Sequence, residues 1–341
     1  MRIAIGQFSE LSDETLQFAR QLGVAGVQLN TPKLPGTHRW EYEDLLDLRL
    51  KCEEYGLRLE ALENVPITFY YKAMLGLEGR DEQIEHYQAT IRNVGRAGIP
   101  ILGYHFMPNG VWRTSFKTPG RGDSQVSSFD LALVHSTEAG SVVGHAVAER
   151  DSRLKKVIES SGDRIVTEDE MWANYEYFIK AVLPVAEEAG VKLALHPDDP
   201  PVEMLGGVAR IFRNVEGFKK AMEIADSDAW GLDLCLGCCS EMAGGALNVQ
   251  EMIRYFGPIG KIFYVHFRDV QGTVPKFQEC FLGEGNYRPS QVMRLLQEVD
   301  FTGFILDDHV PAIVNDSPWG HRSRAHAVGY LQGMLELLES Q

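Results

Sequence analysis

The sequence predicts an α/β fold, a parallel (β/α)8 TIM barrel with a long insertion after its fourth strand, forming one barrel domain over 1–341. Three observations carry this. Short runs of aliphatic and aromatic residues alternate eight times with longer amphipathic stretches. Several amphipathic stretches close on a glycine, which suits the left-handed position that ends a helix. Finally, 341 residues exceed the roughly 250 of a bare barrel by about 90, and most of that excess falls in one place.

The predicted strands are RIAIGQF (2–8), GVQLN (26–30), RLEALEN (58–64), PILGYHFM (100–107), KLALHPD (192–198), WGLDLC (230–235), IFYVHFRDV (262–270) and GFILDDH (303–309). Between them lie ETLQFARQLG, YEDLLDLRLKCEEYG, YEYFIKAVLPVAEEAG and QVMRLLQEV, each with helical spacing of apolar residues, and HRSRAHAVGYLQGMLELLES supplies a helix after the last strand. From 108 to 167 the chain is rich in Gly, Ser and charge, with TPGRGDS and SSGDR as turn signals. No independent apolar core is evident there, so we expect a lid or oligomer-contact excursion within the barrel domain.

Composition bounds the function. With 44% hydrophobic and 24% charged residues the chain is an ordinary globular protein, and its net charge of −15 argues against nucleic-acid and anionic-membrane partners, which need a basic footprint. No apolar run approaches the roughly 20 residues of a membrane span, and MRIAIGQFSE lacks the apolar stretch of a signal peptide. We expect a cytoplasmic protein that forms a homo-oligomer and acts on a small molecule. The 5 cysteines fit that compartment, being odd in number and crowded at Cys235, Cys238 and Cys239.

The chemistry sits at the strand ends. LALHPDDPP (193–201) is an apolar run that stops in a histidine and two aspartates, groups that are costly to bury unless paired or ligated. In a barrel of this kind, residues at the C-terminal strand ends converge whatever their separation in sequence. The fifth run ends in His196, the sixth in Cys235, the seventh carries His266, and the eighth finishes with Asp307, Asp308 and His309. Two imidazoles, a thiolate and a carboxylate on successive strands form a mixed N, S and O site for a divalent transition metal.

Plainer readings stand beside these. A histidine at a strand end is often just hydrogen-bonded, and a lone cysteine in a strand is often a core hydrophobe. Cys238 and Cys239 read as packing residues of the following loop. Asp198 and Asp199 are either turn and cap residues or groups that orient a ligand histidine or meet substrate hydroxyls. The Gly-Gly of LGGVARI is a weak phosphate-loop signal, and Arg210 and Arg213 read first as a solvated helix face, the alternative being that either reaches a ligand. His105, Trp112 and Arg113 mark the mouth of the insertion, where Trp and Arg would either cover and pair a bound carboxylate or anchor the excursion. Strand alternation puts Arg268 on the same face as His266, as another carboxylate-binding candidate.

Together HPDDPP with its LGGVARI sequel, GYHFMPNGVWRTSF, VHFRDV, DDHVP and GYLQGMLE resemble the D-mannonate dehydratase family, metal-dependent sugar-acid lyases of the xylose-isomerase-like barrel superfamily. The resemblance runs from about residue 81 to the C-terminus. It implies His196, Cys235, His266 and Asp308 as metal ligands, His309 as catalytic histidine, manganese as the metal and a sugar acid as substrate. His105, Trp112, Arg113, Asp198 and Arg268 are then the substrate-binding candidates. Two departures follow: His105 stands where the family has Asn, and WGHRSRAHAVG puts Arg322 where the family has a tyrosine, leaving His321 as the substitute for proton transfer. Two other functions fit the same residues, a metal-dependent sugar isomerase or epimerase and a non-catalytic sugar-acid binding protein.

Overall fold

The computed structural model describes residues 1–134 and 164–340. Eight strands close into a parallel barrel: β1 (Arg2–Phe8), β2 (Gly26–Leu29), β3 (Arg58–Leu62), β4 (Ile101–Tyr104), β7 (Lys192–Leu195), β10 (Trp230–Cys235), β11 (Ile262–His266) and β14 (Phe304–Leu306). β1 pairs with both β2 and β14, so the ring has no free edge. The predicted fold is the observed one. Two of the predicted strands have the observed limits, and the others run a few residues too long because the chain bends away to aim its polar ends.

Helices flank the barrel where the amphipathic stretches placed them. Helix Asp13–Gln21 begins with a capping box between Ser12 and Thr15, and helix Glu168–Ala189 begins with one between Thr167 and Glu170. The second of these helices ends at Gly190, whose φ of +66° closes the last turn at no steric cost. Alternation along the strands sorts the packing. On β1, Ile3 and Ile5 join the core beneath the helices, whereas Ala4 faces the barrel interior with Ala61, Ala194, Tyr264 and Phe304. The Tyr264 and Phe304 rings stack 4.8 Å apart as the floor under the polar strand ends.

The insertion behaves differently from the expectation of an excursion without a core. β5 (Ser115–Pro119) and β6 (Gln125–Asp130) pair with β12 (Val270–Thr273) and β13 (Lys276–Glu279) in a four-stranded antiparallel sheet of order β12-β13-β6-β5. Trp112, Phe129, Val202, Leu205, Val270 and Phe277 make a small apolar cluster under it. The core is shared among three loops, which is why none of them displays it in sequence. The seventh predicted run fails for the same reason: β11 ends at His266, and Val270 opens β12. The remainder of the predicted insertion, 135–163, lies outside the described residues.

Candidate active site

Four neighbouring strands bring His196, Cys235, His266 and Asp308 together. β10 lies between β7 and β11, and β11 between β10 and β14, so the four side chains stand side by side around one half of the barrel. The Cys235, His266 and Asp308 donor atoms lie within 4.8 Å of one another, as do those of His196, Cys235 and Cys238. Cys235 and His266 are directly paired in register, which sets the sulfur beside the imidazole. Cys235 Sγ stands 3.7 Å from Asp308 Oδ2, and His266 Nδ1 stands 4.0 Å from the same oxygen.

These residues fit a divalent metal. His266 Nδ1 is buried and has no hydrogen-bond partner, which is unusual for an interior ring nitrogen. His196 uses Nδ1 on the Pro197 carbonyl at 2.7 Å, so its Nε2 is the nitrogen left for a ligand. Burial would raise the Cys235 thiol, but the Cys238 hydrogen bond, the Arg268 guanidinium and His196 outweigh it and hold the group well below the usual thiol range. A thiolate is the form that binds metal. Burial disfavours a charged His196, yet Asp233 and Cys235 raise it to about 10. Anionic charge of this kind at the ring is what a divalent ion would neutralise.

A band of buried ion pairs supports the cluster. Arg268 places Nε 2.9 Å from Asp308 Oδ2 and Nη2 3.0 Å from Cys238 Sγ and 3.1 Å from Asp199 Oδ2. It also gives Nη1 to Glu241 and Glu279, at 2.7 and 3.0 Å. Arg113 clamps both oxygens of Asp199 and reaches Glu279 Oε1 at 2.9 Å. Burial alone would raise Asp199, but Arg113 and Arg268 bring it down to about 2. Glu241, more heavily desolvated and close to Asp199, is pushed up to about 8. The two arginines thus spend their donors on protein carboxylates.

A cavity of about 250 Å³ opens over the cluster, lined by Gln7, Asn30, Glu63, Asn64, His105, His196, Asp199, Asp308 and His309 among others. It is smaller than the roughly 300 Å³ at which drug-sized pockets begin, which suits a small polar molecule. Broader clefts lie between outer helices, around Lys180 and around Arg294, away from the strand ends. Inside the cavity His309 meets a carboxylate at each of its ring nitrogens. Nδ1 meets Glu279 Oε1 at 2.7 Å, and Nε2 lies 3.6 Å from Asp308 Oδ1. Burial disfavours its charge, but Asp308 and Glu279 together raise it above the ordinary histidine range. Across the cavity His105 accepts from the Met107 amide at 3.3 Å, while burial and the nearby His196 lower it to about 3. Its neutral ring therefore presents Nε2–H as a donor.

Other candidates stand elsewhere. Trp112 is fully buried in the cluster under the antiparallel sheet, so it anchors the excursion by packing. Asp198 accepts from the Phe212 amide at 2.6 Å and lies 3.8 Å from Arg210, which gives it the turn-holding role of the two readings. Arg210 corrects the expectation of a solvated face: it is buried and gives Nη2 to Asn109 Oδ1 and the Gly110 carbonyl. The Gly206-Gly207 pair is the turn of a two-stranded hairpin between β8 (Met204–Leu205) and β9 (Val208–Ala209), with φ of +54° and +76°, and not a phosphate loop. Cys238 and Cys239 are buried in the short helix Leu236–Glu241. His321 is not on the cavity wall. Its Nδ1 meets Ser317 Oγ at 2.6 Å, and its ring lies 4.8 Å from both Phe18 and Trp319. Arg322 is exposed on the first turn of the helix His321–Glu339, with its amide on Asp316.

Sequence reasoning passed over Glu63, Asp233, Glu241 and Glu279. Asp233 had a legible signal, since it sits two residues before Cys235 on a strand and shares its face. Glu63 follows β3 and reaches Gln7 at 2.7 Å and His266 at 3.6 Å. Glu279 had no local signal. It reaches His309 only because β13 folds back over the strand ends.

A family model described as D-mannonate dehydratase (UxuA) matches residues 1–341. A mannonate dehydratase of Streptococcus pneumoniae is 32% identical over 351 residues, covering 98% of this chain and 93% of the relative. One from Thermotoga maritima is 31% identical over 360 residues, covering 99% and 98%. The crystal structure of mannonate dehydratase from Streptococcus suis superposes with a TM-score of 0.87 at 30% identity, covering 99% of this chain and 94% of that one. A xylose isomerase domain protein from Planctomyces limnophilus, at TM-score 0.61, 13% identity and coverage of 100% and 98%, shares the fold.

Proposed function

The chain belongs to the D-mannonate dehydratase family, and from that premise we propose that it removes water from a sugar acid such as D-mannonate to give a 2-keto-3-deoxy acid. The observation that carries this reading is the convergence of His196, Cys235, His266 and Asp308 beneath a small cavity whose wall includes His309. Those four residues would hold a divalent ion, manganese by the family resemblance, since the donor set accepts several first-row metals. When bound, that ion supplies positive charge beside the substrate carboxylate and C2 oxygen, where negative charge develops as the C2 proton leaves.

The protein's own groups account for the rest. Gln7, Asn30, Asn64 and the His105 Nε2–H offer hydrogen bonds to hydroxyls along the sugar chain. Glu279 holds His309 by Nδ1, so Nε2 is the atom that moves a proton between C2, the departing C3 hydroxyl and the site. Loss of the C2 proton and of the C3 hydroxyl as water leaves an enol, which tautomerises to the 2-keto acid with no change of oxidation state overall.

Incubation with D-mannonate and Mn(2+), followed by product analysis, tests this. A 2-keto-3-deoxy acid supports the dehydratase. A product that keeps every oxygen makes the protein an isomerase or epimerase, and saturable binding without turnover makes it a binding protein.

A further inference from the structure

Below the four proposed ligands lies a carboxylate to which nothing has been assigned. Asp233 precedes Cys235 by two residues on β10, so both side chains face the interior. It is fully buried, and neither of its oxygens has a hydrogen-bond partner. An unpaired buried carboxylate is strongly unfavourable, so a cationic partner is expected.

The direction it faces identifies that partner. Asp233 Oδ1 lies 3.6 Å from His266 Nδ1, and the donor atoms of His196, Asp233 and His266 lie within 4.8 Å of one another. A carboxylate that merely orients a ligand histidine bonds the ring nitrogen turned away from the metal. On His266 that outer position belongs to Gln28 and Glu63, which lie 3.3 and 3.6 Å from Nε2. Asp233 is instead on the side of Nδ1, the nitrogen that also faces Asp308 at 4.0 Å. Arg268, the nearby guanidinium, is engaged with Asp308, Asp199, Glu241 and Glu279.

We propose that Asp233 is a fifth protein ligand of the divalent ion, entering from the barrel floor. The inference rests on the metal-site reading above and deepens it. A second carboxylate oxygen makes the donor set harder, and so favours manganese over zinc more than two imidazoles, one thiolate and one carboxylate would.

The test uses full-length protein stripped by chelator and titrated with Mn(2+), the free ion being followed by electron paramagnetic resonance. Asp233→Asn should raise the Kd for Mn(2+) tenfold or more and that for Zn(2+) by a smaller factor. Stripped Asp233→Asn should still melt as a folded protein, so that a weaker Kd reports a lost ligand and not a lost fold. Asp233→Ser, which offers neither a carboxylate nor an amide oxygen, should reproduce the loss if the Asn variant folds poorly. With Co(2+) the thiolate charge-transfer band should survive in the variants while the d–d bands change. Unchanged Mn(2+) affinity together with unchanged Co(2+) spectra in both variants overturns the role of Asp233 and leaves the metal site standing. A parent protein that binds no divalent ion overturns both.

Discussion

His309 shows how one side chain's chemistry depends on its two neighbours. It follows Asp308 directly, and adjacent residues of a regular strand point to opposite faces. β14 stops at Leu306, so Asp308 and His309 lie beyond regular strand geometry and both reach the cavity. Glu279 takes Nδ1, which leaves Nε2 for substrate. His309→Asn is therefore expected to keep its full metal content and substrate affinity while kcat falls by about 10²-fold or more, the usual scale for a lost proton-transfer group. Elemental analysis alongside steady-state kinetics checks this. Normal turnover, or loss of the metal, would remove the assigned role.

At the scale of an element, the turn from β11 into β12 is held by Asp269. Its carboxylate accepts from the amides of Val270, Gly283 and Gly285 at 2.9, 3.2 and 3.0 Å, tying two loops beneath the antiparallel sheet. Burial nevertheless raises it to about 6, those amides notwithstanding. Its folded value thus lies above an unfolded value of roughly 3.9, so the stability it contributes is complete below about pH 4 and is lost as pH rises through about 6. The two values differ enough to amount to about 3 kcal/mol. Relative to Asp269→Asn, which does not titrate, the parent should lose up to that amount between pH 4 and pH 7. Urea unfolding across the range measures it, and a pH-independent difference between the two proteins would refute it.

For the molecule as a whole, the four strands that supply the proposed ligands are consecutive around the barrel, from β7 through β10 and β11 to β14. Their sequence positions run from His196 to Asp308, so an ion held there closes a loop of more than a hundred residues. Ligation of the folded state alone should stabilise it by about 4 kcal/mol when the free ion exceeds its Kd a thousandfold. The midpoint of thermal unfolding is therefore expected to fall by several degrees on chelation and to recover with Mn(2+). His196→Ala and His266→Ala should each abolish that recovery. A midpoint indifferent to chelator in the parent would argue against a site at these strand ends.

The sequence by itself determined the barrel, its helix ends and the strand-end residues His196, Cys235, His266, Asp308 and His309, because each is written in a short stretch. Alternation of period two places a strand's faces, a terminal glycine places a helix end, and the fold then gathers the strand ends. Asp233 was legible by the same rule, two residues from Cys235. Only the tertiary structure decided what the polar groups do once gathered. Arg113 meets Asp199 across 86 positions and Glu279 across 166, so no local pattern marks these as partners. Arg210 looked solvated beside a helix and is buried by Asn109 and Gly110 of a different loop. His321 looked available and is held between Phe18, Trp319 and Ser317. Periodicity reports which way a side chain points from its own backbone; whether it meets water, a counter-charge or a cavity there depends on segments that arrive from elsewhere in the chain.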